Sequence, residues 1–247
     1  MSGHSKWATI KHAKGAADAK RGQMFTKLIK EISIAARMGG GNPEGNPRLR
    51  TAVLKARGAN MPKDNIDRAI KKGTGELEGV NYEELTYEAY APGGVAVLIE
   101  VLTDNKNRAA ADVRNILTRA GGQLATAGSV SRLFKRQGII TLEGDKYTED
   151  EVMEAAIEGG AEDVSLQDGI IEVTTAPEDF ETVVNALNEK NFETMSTEIS
   201  MVADAEVALD NDGITKALRL IERLEENDDV QNVYSNIEIP EGFEDEE

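Results

Sequence analysis

The side chains with the widest chemical reach are scarce in this chain. Cysteine is absent and histidine occurs only as His4 and His12, which removes disulfides, thiolate catalysis and sulfur-ligated metal sites. Both histidines lie in one basic leading segment, where neither a zinc site nor a Ser-His-Asp triad finds the oriented partners it needs. Glycine clusters fail the nucleotide tests. Gly73-Thr74-Gly75 and Gly39-Gly40-Gly41 each follow a helical pattern instead of a strand, and no G-x-x-x-x-G-K-[ST] run occurs, so both read as caps and linkers. Carboxylates abound from Glu76 onward, but Glu149, Asp150, Glu151, Glu154 and Glu158 follow a helix face and match no oxygen-ligand loop. A divalent-metal enzyme with an acidic cleft is the outside alternative. The chain reads as non-enzymatic, without cofactor or metal.

What the residues do offer is phosphate neutralisation. Lys6, Lys11, Lys14, Lys20, Arg21, Lys27, Lys30, Arg48, Arg50, Lys55, Arg57, Lys71 and Lys72 crowd the first part of the chain. Residues 1–75 hold 16 Lys and Arg against 5 Asp and Glu, a net +11, while residues 76–247 carry a net −28. A solvated helix face normally mixes signs; an excess of one sign sustained over several helices fits polyanion binding with counterion release. Nothing in the pattern specifies a base, so contact with phosphate is all that charge alone supports. Trp7, the sole tryptophan, can stack on a base or anchor the arm on the bundle, and anchoring is favoured.

Those cations need elements to hold them. From Ala16 to Met38, Phe25, Leu28, Ile29, Ile32 and Ala36 recur at helical spacing, and at about 100° per residue Lys20, Lys27, Lys30 and Arg37 fall on a stripe opposite that apolar face. Asn46 and Pro47 predict the start of a second helix reaching about Ala59, and Pro62 that of a third ending at Gly73. Beyond a Gly73–Gly79 joint, expected to let the bundle swing, the periodicity becomes mixed. Strands are predicted at Tyr82–Ala91 and Val95–Thr103 around Pro92-Gly93-Gly94, then a helix from Asn107 to Ala120.

Next come a strand (Ile139–Leu142), a helix (Thr148–Glu158, with Thr148 and Glu151 as a capping box), strands at Val164–Leu166 and Ile170–Val173, a helix (Pro177–Glu189) and a strand (Glu193–Met201). This β-α-β-β-α-β order is the ferredoxin-like arrangement. A helix at Asp212–Glu226 and a strand at Val230–Ile237 are left over and return to the preceding unit. The expected fold is α+β and multidomain: an N-terminal three-helix bundle followed by two α+β domains, the third ferredoxin-like and inserted in the second. The boundaries are 1–78 for the bundle, 79–136 with 205–240 for the discontinuous domain, 137–204 for the insert, and 241–247 for an acidic tail. No apolar stretch has the length of a signal region or membrane span, so a cytoplasmic protein without membrane contact is expected.

Five ordered blocks carry a resemblance: GHSKWATIKHAKGAADAKRGQMFTKLIKEI (Gly3–Ile32), GGGNPEGNPRLRTAV (Gly39–Val53), NMPKDNIDRAIKKGTG (Asn60–Gly75), YEAYAPGGVAVLIEVLTDNKNR (Tyr87–Arg108) and GGQLATAGSV (Gly121–Val130). In these the chain resembles the YebC/PmpR family, which includes the mitochondrial translational activator of cytochrome oxidase. The resemblance spans essentially the whole chain and implies the same three-domain layout. It implies a DNA-binding transcriptional regulator, or alternatively a translation factor binding ribosomal RNA or tRNA. The family's basic motifs land on Lys6, Trp7, Lys11, His12, Lys20, Arg21, Lys27, Arg48 and Arg50. Expected partners are DNA or ribosomal RNA, with the acidic domains as surfaces for proteins. Ala89, Ala91 and Ala125 stand where the family usually has glycine, which puts in doubt any function needing positive φ or close approach there.

Overall fold

The computed structural model describes residues 18–240 and 243, with side chains from Arg21 onward. Three helices come first: α1 (Asp18–Gly39), α2 (Pro47–Gly58) and α3 (Lys63–Thr74). Ile32, Ala35 and Ala36 of α1 pack against Leu49, Ala52, Val53 and Ala56 of α2 and Ile66 and Ala69 of α3, with Phe25, Leu28 and Ile29 at the edge. Asn46 fastens two helices at once. Its Oδ1 accepts from Leu49 N–H at 3.1 Å as the α2 cap, and its Nδ2 donates to the carbonyls of Ala35 and Gly40 at the end of α1. Gly73 is predicted as a helix stop, but α3 runs through it to Thr74. A Cβ at Gly73 would lie 2.2 Å from the Ser33 carbonyl oxygen, so glycine is there for the close crossing of α1 and α3; Gly75, at φ +82°, makes the stop.

The middle domain begins with β1 (Glu83–Tyr90) and β2 (Ala96–Thr103), paired antiparallel from Glu83↔Thr103 to Tyr90↔Ala96 across the Pro92–Gly94 turn. After α4 (Lys106–Arg119), the short β3 (Gln123–Leu124) pairs with β1. The chain then leaves for the third domain and returns as α7 (Asn211–Glu225) and β8 (Val230–Ser235), which pairs with β2. The resulting sheet has the order β3-β1-β2-β8. β2 is buried on both faces: Val97, Ile99 and Val101 join α4 and α7 in one cluster, while Ala96 and Leu98 pack with Val130, Phe134 and Tyr234 in another that reaches the third domain through Met201 and Ala203.

The inserted domain is β4 (Phe134–Glu143), α5 (Glu149–Glu158), β5 (Asp163–Gln167), β6 (Ile170–Thr175), α6 (Phe180–Glu189) and β7 (Thr194–Ala203). Its antiparallel sheet has the order β5-β6-β4-β7, the ferredoxin-like arrangement. The Thr148–Glu151 capping box is formed. Most elements lie within two residues of their predicted spans, and two differ by more. β4 starts five residues early because β7 pairs with it from Phe134↔Ala203 onward, although Lys135, Arg136 and Gln137 break the apolar pattern there. α6 starts at Phe180, because residues 177–179 form a turn closed by Asp179 N–H on the Ala176 carbonyl.

Candidate nucleic-acid interface

Of the cations singled out in the sequence, Lys6, Lys11 and Lys14, with Trp7 and His12, lie outside the described residues, and Lys20 is described by its backbone only. The rest divide by what already holds them. The stripe of α1 opposite its core is only partly open to solvent: Lys27 and Lys30 lie against the middle domain, while Arg37 stays exposed at the end of the helix. Lys27 Nζ donates to the Glu225 carbonyl at 2.5 Å and Gln23 Nε2 donates to that of Glu226. These are the end of α7, where unpaired carbonyls and the helix dipole favour a cation. Arg37 donates to the carbonyl of Tyr82 and the side chain of Asn81. Arg21 is exposed near the start of α1 and is engaged as well.

Lys30 corrects the expectation most clearly. Only 7% exposed, it donates to Asp229 Oδ1 at 2.7 Å and to the carbonyls of Asp228 at 2.8 Å and Leu102 at 3.4 Å. Its ammonium also stands 5.7 Å from the centroid of the Tyr82 ring. Asp229 in turn accepts from Thr103 Oγ1 at 3.0 Å and from Arg108 Nη2 at 2.8 Å. Burial pushes the Asp229 carboxyl up, but Lys30 and Arg108 together outweigh it and hold the group below its ordinary value. A lysine enclosed in this way fastens the bundle to the middle domain and is out of reach of a phosphate.

On α2 the four predicted contacts split evenly. Arg48 Nε and Nη2 donate to Glu31 at 2.7 and 3.0 Å, and Nη2 also meets Glu84 of β1 at 2.5 Å; these carboxylates raise its pKa further. Arg50 Nη2 meets both oxygens of Glu181 on α6. Lys55 and Arg57, in the last turn, are exposed and make no ion pair with any described residue. Helix α3 continues this exposed charge with Lys63, Arg68, Lys71 and Lys72. Lys63 and Arg68 were not among the predicted contacts. Their signal was the helical period: Ile66 and Ala69 face the core, which puts Arg68 and Lys71 on the other side of the helix, beside Asp64 and Asp67, and leaves Lys63 and Lys72 flanking the core positions at its edges.

Two resembling blocks outside the bundle explain each other. β3, from the GGQLATAGSV block, pairs with β1, from YEAYAPGG. The Glu88 carboxylate accepts backbone N–H groups from Gly128, Val130 and Ser131 at 2.6, 2.5 and 2.9 Å, a nest that Gly128 shapes at φ +82°. Burial pushes the Glu88 carboxyl up, yet these donors more than offset it and leave its pKa lowered. Ala89, Ala91 and Ala125 all have negative φ, and Ala89 and Ala91 are in the core, so alanine fits these backbone positions without strain. Among the described residues no group of three or more His, Cys, Asp and Glu is placed to hold a metal ion, and no helix is long and apolar enough to cross a membrane.

Comparison with known proteins gives one pattern along the chain. A model of the TACO1/YebC protein N-terminal domain matches residues 5–76, and a model of the TACO1/YebC second and third domain matches residues 82–237. A protein of Treponema denticola is 69% identical over 244 residues, 99% of each chain. One of Geotalea uraniireducens is 56% identical over 241 residues, 98% of this chain and 97% of the other. Both bear the name "probable transcriptional regulatory protein". A solved structure, that of a conserved hypothetical protein from Aquifex aeolicus, is 48% identical and superposes with a TM-score of 0.82, covering 91% of this chain and 93% of that one.

Proposed function

The chain belongs to the TACO1/YebC family, and on that premise we propose that it is a regulator of transcription that binds duplex DNA through the basic face of α2 and α3. The observation that carries this reading is the set Lys55, Arg57, Lys63, Arg68, Lys71 and Lys72: exposed on two adjoining helices, with no ion-pair partner among the described residues. Exposed cations left unpaired in a protein with so many carboxylates are available for phosphate. The basic residues of the leading arm, Lys6, Lys11 and Lys14, extend the same charge along the sequence. The relatives' name supplies transcription as the process. The acidic remainder turns duplex away from itself and leaves its surface for protein partners, and the cytoplasm is the compartment of the proposed target.

Charge alone reads phosphate in DNA and RNA alike, so the test sets one against the other. Fluorescence anisotropy of a labelled promoter duplex, titrated with the full chain and then challenged with purified ribosomes, should show DNA held at matched salt. Loss of the duplex to ribosomes, together with co-sedimentation on a sucrose gradient, would instead place the protein in translation.

A further inference from the structure

Arg50 joins two parts of the molecule that carry opposite charge. It stands in the first turn of α2, and Glu181 in the first turn of α6 of the inserted domain, 131 residues away. The guanidinium Nη2 lies 2.7 and 3.0 Å from the two carboxylate oxygens, while Nη1 lies 3.2 and 3.3 Å from the carbonyls of Pro43 and Glu44. Such a carboxylate offers a guanidinium the same pair of acceptor oxygens that a phosphodiester does. Lys55 and Arg57, further along the same helix, have no comparable acidic partner among the described residues.

The contact is built to open. Its side chains are 34% and 57% exposed, and ion pairs in such a setting hold weakly. The Lys30–Asp229 pair, at 9% and 5%, is shut away from water and keeps the bundle on the middle domain whatever happens at Arg50. A polyanion arriving at α2 gains counterion release for each phosphate neutralised, which Glu181 cannot match.

Resting on the reading of the α2–α3 face as the nucleic-acid site, we propose that Glu181 is an internal occupant of that site. The acidic inserted domain holds Arg50 in the free protein and gives it up when a nucleic-acid phosphate takes its place. Nucleic-acid binding and the docking of the inserted domain on α2 therefore exclude each other, and the insert tunes affinity.

The full chain, titrated against a fluorescein-labelled DNA duplex at low salt, tests this with Glu181→Gln beside Glu189→Gln, an equal change of charge at an exposed position on the same helix. Glu181→Gln should tighten binding about two- to five-fold, the range set by one exposed ion pair, and Glu189→Gln should leave it unchanged. In an Arg50→Gln background the gain from Glu181→Gln should vanish. Equal affinity of Glu181→Gln and the parent, an equal gain from Glu189→Gln, or a gain that survives without Arg50 would each overturn the proposal. Lys55→Glu/Arg57→Glu reports separately on the face itself. If that variant binds undiminished, the underlying reading fails and takes the proposal with it; if it binds poorly while Glu181→Gln is inert, the proposal alone fails.

Discussion

Lys30 shows what a single residue can and cannot reveal before folding. The helical wheel sets it opposite the α1 core, but it cannot show that a second domain covers that side, because the partner carboxylate of Asp229 is 199 residues further on. Removing the ammonium leaves that carboxylate buried with Arg108 and Thr103 as its remaining partners. Breaking a buried pair typically costs about 3–5 kcal/mol. Since two partners stay, Lys30→Met should cost about 2–3 kcal/mol in urea unfolding while changing duplex affinity less than two-fold, about 0.4 kcal/mol. A large loss of affinity with unchanged stability would return Lys30 to the binding face. Glu88 and Asp229 both bind protons less readily in the folded chain than in the unfolded one. Their stabilisation is complete above the unfolded carboxyl pKa of about 4 and is lost as pH falls below it. The urea midpoint should therefore hold from neutral pH to about 5 and drop below about 4. Glu88→Gln should lie lower by about 1–3 kcal/mol at neutral pH and fall less steeply in acid; an acid slope equal to the parent's would contradict the role given to the nest.

At the scale of elements, what was legible depended on whether the deciding interaction was local. The Asn46 cap, the Thr148–Glu151 box and the β-α-β-β-α-β order all rest on neighbours a few residues apart, and all are formed. The true length of β4 was not legible, since its first half is held as a strand by β7, some sixty residues on. Gly73 was misread for the same reason: as a helix stop it is local, whereas its actual constraint is the Ser33 carbonyl of another helix. Gly73→Ala should push α1 and α3 apart and cost about 1–3 kcal/mol, read as a lowered urea midpoint. A midpoint unchanged or raised, as helix propensity alone would favour, would show that the crossing has room.

For the whole molecule, composition announced the division of charge and the topology shows how it is kept. The +11 and −28 portions are not simply strung together. Part of the positive charge on α1 is consumed in docking at the end of α7 and on Asp229, and part of that on α2 meets Glu84 and Glu181. The Gly73–Gly79 joint, expected as a hinge, is bridged by these contacts and closed on itself by Leu77 N–H on the Lys71 carbonyl. Among the described residues of the basic portion, the exposed cations without an ion-pair partner are therefore fewer than the charge count suggests, and the proposed polyanion face rests on those of α2 and α3. Its most direct test is the salt dependence of duplex binding by the full chain and by Lys55→Glu/Arg57→Glu/Lys71→Glu/Lys72→Glu. The parent's log affinity should fall with log salt at a slope of about −0.9 per phosphate neutralised, and the variant should bind at least about tenfold more weakly, about 1.4 kcal/mol, with a shallower slope. Equal affinity and equal slope for the two proteins would contradict the account.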